Sequence, residues 1–268
     1  MEQRKPEEIQ REYYRASAAQ YDAAHVHRCD EHYRALRYMV GFLGLYGIRS
    51  VLDVGCGTGR ALKYLLDCRL TAYGVEPVPE MIHEAVHKNG IPKERVVRGK
   101  AEALPFQDDS FDAACEFGVL HHVRYPRAAV NEMTRVAKRA VFLSDSNRFG
   151  QGAWLARLAK LLIYRVGLWD IANYIKTGGK RYQFSAGDGL SYSYSVFDDL
   201  SLLAGWATTV ILIPTMRADP VSWAHPILTS GHVLLCAFKG DQTDSGVMEA
   251  LSAMRGQGVS QGTEADTQ

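Results

Sequence analysis

The sequence predicts an α/β fold built on one central, mostly parallel sheet. Three observations lead to this prediction. Short apolar runs alternate with stretches of helical periodicity, a glycine-rich turn follows the first of these runs, and 268 residues with 47% hydrophobic side chains suffice for one sizeable core. The predicted domain spans residues 1–240, and the polar tail at 241–268 is predicted to be disordered.

The elements follow in a regular order. A helical N-terminal cap is predicted over residues 1–46, where Leu36, Met39 and Leu43 recur at helical spacing. Strands are predicted at 50–54, 71–75, 96–97, 111–117 and 140–145, and helices at about 59–68, 79–90 and 126–138. Strand–helix alternation of this kind indicates parallel strands joined by right-handed crossovers. A capped helix at 195–203 and strands at 209–214 and 232–239 complete the predicted domain.

The bulk composition excludes several classes of protein. Thirty-one basic and thirty acidic side chains give a net charge of +1, so we predict no DNA partner. The charged N-terminus has no apolar signal region, and no apolar run of about 18 residues occurs, which predicts a soluble, cytoplasmic protein. The cluster His25, His27, Cys29 and His32 has the spacing of no common metal site, so we predict no metal.

The strongest motif is VLDVGCGTGR at residues 51–60. Glycines at a strand-to-helix turn let a ligand approach bare backbone. A dinucleotide fingerprint would need glycine where Arg60 stands, and the carboxylate of Asp53 would repel a pyrophosphate but attract an ammonium or sulfonium group. Glu76, 21 residues after Gly55, suits the hydroxyls of a ribose. These features favour S-adenosylmethionine (SAM), and a nicotinamide-dependent oxidoreductase remains a less favoured alternative.

Four stretches together carry a family resemblance. They are Tyr14–Asp22, LDVGCGTGR at 52–60, AEALPFQDDSFD at 101–112 and VLHHV at 119–123. In these stretches the chain resembles the class I SAM-dependent methyltransferases, and most closely the methyltransferase-11-like branch that includes ubiquinone and menaquinone methylases. The resemblance implies a Rossmann-like three-layer sandwich with a mostly parallel seven-stranded sheet whose last strand is antiparallel.

The resemblance also implies roles for individual residues. Asp53, Gly55 and Gly57 would contact the methionine part of SAM, and Glu76 would contact the ribose. The remaining predicted cofactor contacts lie around the adenine, the sulfonium end and the glycine loop: Tyr21, Cys56, Pro77, Ala101, Glu102, Glu116 and Phe117. The chain departs from many relatives at Lys100, where they carry an aspartate that binds the adenine amine.

His121, His122 and Asp145 are the predicted catalytic residues. They follow the fourth and fifth strands, at the edge where open α/β sheets bind ligands. One of them could serve as a general base, while a structural role for the histidines is an open alternative. The predicted reaction is methyl transfer from SAM to a small organic acceptor, more readily at oxygen than at carbon or nitrogen. A catalytically silent SAM-binding regulatory subunit is the alternative.

Residues 147–195 interrupt the alternation after the fifth strand. They contain nine aromatic, seven basic and two acidic residues, with apolar positions at helical intervals: Trp154, Leu155, Leu158, Leu161 and Leu162. We therefore predict a helical substrate lid over an acceptor that is aromatic, lipid-like or anionic. A basic amphipathic helix of this kind could instead contact a membrane surface. The simplest interpretation is a helix that packs its apolar face on the sheet. The sequence does not indicate an oligomeric state.

Overall fold

The computed structural model describes residues 5–25, 30–216 and 222–240. The predicted tail at 241–268 lies outside this part of the chain, as do His27 and Cys29 of the N-terminal cluster. The strands are β1 Ser50–Val54, β2 Thr71–Glu76, β3 Val96–Arg98, β4 Phe111–Phe117, β5 Ala137–Ser146, β6 Tyr182–Ser185, β7 Gly189–Tyr192, β8 Thr209–Pro214 and β9 His232–Phe238.

Seven of these strands form the central sheet, in the order β3-β2-β1-β4-β5-β9-β8. Strands β1 to β5 pair in parallel, whereas β9 runs antiparallel to both β5 and β8. The predicted mostly parallel sheet with an antiparallel last strand is therefore confirmed. Every residue of β9 is buried, because helices cover both faces of the sheet at this position.

The helices are α1 Pro6–Ser17, α2 Tyr21–His25, α3 Glu31–Leu45, α4 Arg60–Asp67, α5 Pro79–His83, α6 Pro126–Val136, α7 Trp154–Arg165, α8 Trp169–Lys176 and α9 Leu200–Trp206. On one face of the sheet, α3 and α4 bury Met39 and Leu62. On the other face, α6 and α9 bury Met133 and Leu203. This arrangement confirms the predicted three-layer sandwich. In the part of the chain that the structure describes, no helix is both long enough and apolar enough to cross a membrane.

The insertion after β5 contains a helix at the predicted positions, α7. It also contains a second helix, α8, and a β-hairpin, β6–β7, neither of which was predicted. The hairpin packs on α1. The side-chain oxygen of Gln10 accepts a hydrogen bond from the Leu190 amide, and the Tyr13 hydroxyl donates to the Ala186 carbonyl over 3.3 Å. A side chain at Gly189 would lie 2.6 Å from the Tyr13 ring, and the φ of +72° also favours glycine. Glycine at 189 therefore permits the close contact of hairpin and helix.

Candidate active site

The glycine motif forms the turn between β1 and α4. Gly55, Gly57 and Gly59 adopt φ values of +71°, +54° and +86°, which side-chain-bearing residues rarely adopt. The amides of Gly55 and Cys56 donate to the carbonyl of Val75 on the neighbouring strand. No protein atom lies within 4 Å of where a Cβ of Gly57 would be, and this residue lines a cavity. The turn thus presents bare backbone to a ligand.

Glu76, at the end of β2, closes one side of the same cavity. One oxygen of its carboxylate accepts from the Gly57 amide at 3.1 Å, and the other accepts from the Val78 amide at 2.9 Å. Burial raises the pKa of Glu76 to about 7, although these two hydrogen bonds favour the anion. The carboxylate is therefore fixed in position between the β1–α4 turn and the segment that follows β2.

The cavity beside this turn brings together most of the predicted cofactor residues. Its volume is about 190 Å³. Eight predicted residues line it: Tyr21, Gly55, Gly57, Glu76, Pro77, Ala101, Glu102 and Phe117. Lys100, the departure from the family pattern, and His122 line it as well. We refer to this space as the smaller cavity.

Three predicted cofactor residues, Asp53, Cys56 and Glu116, are buried and do not line the smaller cavity. Cys56 packs on Gly74, where a Cβ would lie 2.6 Å from its sulfur. Among the residues that the structure describes, Asp53 Oδ2 and Glu116 Oε1 have no hydrogen-bond partner. Burial raises the pKa of Asp53 to about 7, against the effect of Arg60. It also raises the pKa of Glu116 well above the usual range, with a further contribution from Asp145.

The N-terminal cap contributes residues to the site that were not among those predicted. Thr58 Oγ1 donates to Asp22 Oδ1 at 2.5 Å, and the side-chain amide of Asn89 donates to Asp22 Oδ2 at 2.9 Å. Tyr14 lines the smaller cavity, and its ring packs edge-on against His122 with centroids 5.7 Å apart. Tyr14 and Asp22 both stand in the Tyr14–Asp22 stretch, so the resemblance could have pointed to them.

His121 lies in the short 3₁₀ turn Leu120–His122 after β4. Its Nδ1 lies 2.7 Å from Asp145 Oδ1, and its backbone amide donates to Asp145 Oδ2 at 3.2 Å. Burial opposes charge on this imidazole, but the carboxylates of Asp145 and Asp188 raise the pKa of His121 to about 10. Burial likewise opposes charge on Asp145, but His121 holds the pKa of Asp145 below its usual range. The structure therefore pairs two of the three predicted catalytic residues.

His122 is held by the hairpin. Its Nδ1 lies 2.7 Å from the carbonyl oxygen of Leu190. The side-chain nitrogen of Gln10 lies farther from the same Nδ1, at 3.2 Å. A carbonyl oxygen only accepts, so the shorter contact favours a proton on Nδ1, which would leave Nε2 with its lone pair in the neutral ring. The rings of His121 and His122 lie side by side, with centroids 3.9 Å apart.

A second, larger cavity of about 410 Å³ lies beneath the insertion. His121, Asp145 and Asp188 line it, together with two histidines that were not predicted to be catalytic, the half-buried His32 and the buried His232. These two rings pack edge-on with centroids 4.7 Å apart. Burial, with a further effect of His232, lowers the pKa of His32. His232 and Asp188 carry no local sequence signal for a site, although the Gly-Asp-Gly run at 187–189 is typical of a turn.

Comparisons with known proteins agree with this geometry. A family model described as a methyltransferase domain matches residues 52–143. An uncharacterized methyltransferase of Mycobacterium leprae (strain Br4923) is 30% identical over 191 residues, which cover 65% of this chain and 70% of the relative. An uncharacterized methyltransferase of Mycobacterium tuberculosis (strain ATCC 25618 / H37Rv) is 30% identical over 186 residues, covering 69% of this chain and 71% of the relative.

Solved structures share the fold. The magnesium protoporphyrin IX methyltransferase of Synechocystis PCC 6803, crystallised with SAM, superposes with a TM-score of 0.58 at 14% identity, covering 90% of this chain and all of that one. A SAM-dependent methyltransferase of Thermotoga maritima, described as a possible histamine N-methyltransferase, gives a TM-score of 0.57 at 21% identity, covering 85% and 99%. The sequence relatives, the family model and the fold support methyl transfer over nicotinamide chemistry. The chain belongs to the class I SAM-dependent methyltransferases, and it is an enzyme that takes SAM as its cofactor.

Proposed function

We propose that the enzyme methylates an oxygen atom of a small polar acceptor bound in the larger cavity. The position of the histidine pair carries this proposal: His122 lines the smaller cavity and His121 lines the larger one. A pair at this boundary can contact the acceptor atom beside the cofactor. Orientation of the reacting groups lowers the barrier of such a transfer by about 7–11 kcal/mol in the most favourable cases.

The side chains around the smaller cavity suit SAM. Glu76 offers a fixed carboxylate for ribose hydroxyls, and Gly57 leaves room for a ligand against the backbone. Asp53, whose Oδ2 has no hydrogen-bond partner among the described residues, is buried near this cavity, and its ionised carboxylate favours the ammonium and sulfonium groups. When bound, SAM supplies a methyl group on a sulfonium whose departure needs no protonation. We therefore assign the smaller cavity to the cofactor.

The lining of the larger cavity favours a polar acceptor over a lipid. It combines cationic side chains, among them Lys176 and Arg181, with the carboxylates of Asp145 and Asp188 and several tyrosines. The most exposed apolar side chains of α7 and α8 do not line it: Leu155, Leu162 and Ile175. A hydroxyl- or carboxylate-bearing acceptor fits this mixture of donors and acceptors. Membrane contact by the insertion stays a separate prediction.

Within the proposed site, Asp145 is a positioning residue. Its two oxygens accept from the ring and the backbone of His121, and Ser146 donates to it as well. These contacts fix the orientation of the His121 ring, so that its Nε2 faces away from β5. The pair His121–His122, rather than Asp145, is then the group that contacts the acceptor oxygen.

Labelled methyl transfer would test the reaction class. The purified enzyme would be incubated with SAM carrying a labelled methyl group and with size-fractionated cell extract. We expect label in a small-molecule fraction, on a methyl carbon that NMR identifies as bonded to oxygen. Label on nitrogen or carbon would contradict O-methylation. Label confined to the macromolecular fraction would contradict a small acceptor, and no label in any fraction would support the regulatory-subunit alternative.

Variants of the pair would test its role. His121→Gln and His122→Gln should each lower kcat about 100-fold, since the loss of a group that acts on the reacting atoms has effects of this size. The Kd for SAM should stay within about threefold, because Glu76 and the glycine turn are unchanged. His87→Gln, an exposed histidine on the π-helical turn after α5, is the matched control. Unchanged turnover in both variants would remove the pair from the mechanism.

A further inference from the structure

Three side chains converge where the hairpin meets the histidine pair. The ligand atoms of His121, His122 and Asp188 all lie within 4.8 Å of one another. The Nε2 of His121 is 3.6 Å from one carboxylate oxygen of Asp188, and the Nε2 of His122 is 3.5 Å from the other. Direct hydrogen bonds between such groups span about 2.7–3.2 Å, so both separations are too long for them.

The two histidine–carboxylate separations match those of ligands around a shared ion. Nitrogen and oxygen ligands lie about 2.0–2.2 Å from Zn²⁺, and at the tetrahedral angle two such ligands are roughly 3.4 Å apart. The Nε2–carboxylate distances of 3.5 and 3.6 Å are close to this value.

The Nδ1 atoms of both histidines make hydrogen-bond contacts of the kind seen in known metal sites. A histidine that binds metal through one nitrogen almost always donates its other N–H to a carboxylate or a carbonyl. His121 makes this contact with Asp145 at 2.7 Å, and His122 makes it with the Leu190 carbonyl at 2.7 Å. Both contacts favour a proton on Nδ1, and they orient each ring with Nε2 toward Asp188. These Nδ1 contacts are a second observation in favour of a metal site, separate from the distances between Nε2 and Asp188.

Asp188 is held in place by the hairpin rather than by the histidines. Its amide donates to the side chain of Ser185 at 3.1 Å. The next residue, Gly189, is fixed against Tyr13 and Gln10 of α1. The backbone that carries the carboxylate is therefore fixed on both sides.

We propose that His121, His122 and Asp188 form a site for a divalent transition-metal ion. Three protein ligands leave a coordination position open, as in catalytic zinc sites, and imidazole with carboxylate donors suits Zn²⁺, Fe²⁺ or Mn²⁺. Because His121 and Asp188 line the larger cavity, the open position is available to a hydroxyl or carboxylate oxygen of the acceptor. This last step rests on the proposed function, whereas metal binding itself does not.

Cobalt titration would test the site without any assay of turnover. The tag-free protein, stripped with chelator, would be titrated with Co²⁺, whose visible spectrum reports coordination number. We expect one ion per chain with the intense bands of a four-coordinate site. Asp188→Asn and His122→Gln should each raise the Kd for Co²⁺ about 100-fold or more. Asp145→Asn, which replaces the carboxylate partner of His121 Nδ1 with a neutral amide, should raise it about 10- to 100-fold.

A matched control keeps the outcome interpretable. Asp170→Asn changes an exposed acid in the same insertion and should therefore bind Co²⁺ as the parent does. Unchanged thermal unfolding of Asp188→Asn would show that the fold is intact. Absence of Co²⁺ binding, or equal binding by the parent and Asp188→Asn, would overturn the site. Full methyl transfer by the chelated protein would overturn its role in catalysis and leave the proposed methylation standing.

Discussion

The two cavities are built in different ways. Most residues of the smaller cavity follow β1, β2 and β4 directly, so the parallel sheet alone brings Gly57, Glu76 and Phe117 together. The larger cavity combines His32, Asp145, Asp188 and His232 from α3, β5, the hairpin and β9. The first cavity depends on the topology of the sheet, and the second depends on long-range contacts of the insertion. Variation in the insertion can therefore change the acceptor while the cofactor site stays the same.

Among the substitutions that would test this difference between the two cavities, we expect the largest effect at Asp53. Asp53→Asn removes a buried negative charge near the smaller cavity while keeping the shape of the side chain. Loss of one partner from a buried charge pair costs about 2–5 kcal/mol, so the Kd for SAM should rise roughly 100-fold. Calorimetry would measure this, with Asp67→Asn on the exposed end of α4 as the control. An unchanged Kd would remove Asp53 from the cofactor site.

The same carboxyl should make the stability of the cofactor-free protein depend on pH. Burial raises the pKa of Asp53 from 3.8 to about 7, so between these values the folded protein holds a proton that the unfolded chain releases. The free energy of unfolding should therefore fall as pH rises, by about 1.4 kcal/mol per pH unit from Asp53. Urea titrations at pH 5, 6 and 7 would measure the slope. Asp53→Asn should reduce the slope by about this amount, while Glu76, whose pKa is also raised to about 7, keeps its own contribution. An equal slope in the variant would contradict this account.

A change in the hairpin should affect the acceptor side and spare the cofactor. Gly189→Ala places a Cβ 2.6 Å from the Tyr13 ring at a φ of +72°. Such strain costs about 1–3 kcal/mol and should displace Asp188, so kcat/KM for the acceptor should fall about 10-fold. Gly187→Ala is the matched control, because its Cβ would meet no atom within 4 Å. A larger loss of SAM affinity than of kcat/KM would contradict the separation of the two cavities.

The smallest effect is expected at the contact between α2 and the glycine turn. Asp22→Ala removes the acceptor of Thr58 Oγ1 and of the Asn89 amide. Hydrogen bonds to charged groups contribute about 1.5–3 kcal/mol, and part of this should appear as a rise of up to about 10-fold in the Kd for SAM. Combining Asp22→Ala with Thr58→Val measures the coupling. Additive effects would show that the two side chains act independently.

The sheet and the cofactor residues could be predicted because their signals are local. β1, the glycine turn and Glu76 lie within 27 residues, and their apolar runs and glycine spacing are direct consequences of strand burial and turn geometry. The same logic found β4, β5 and the final strands. The resemblance added the antiparallel direction of β9, which periodicity cannot provide.

The acceptor side could not be predicted in the same way. Asp188 reaches His122 across 66 residues of sequence, and the hairpin that carries it is fixed by Gln10 and Tyr13 of α1. Neither contact has a local pattern, because each depends on the packing of elements that are distant in the chain. Strand β6 is also largely exposed, so burial gives it no apolar signature.

Helix α1 lines the smaller cavity and also holds the hairpin that lines the larger one. Glu7, Arg11 and Tyr14 face the cofactor space, and Gln10 and Tyr13 hold the hairpin over the acceptor space. Departure of α1 to exchange cofactor would release the hairpin as well. We therefore expect compulsory-order kinetics, in which SAM enters first and the demethylated cofactor leaves last. Product-inhibition patterns would reveal this sequence, since the demethylated cofactor would compete with SAM but not with the acceptor.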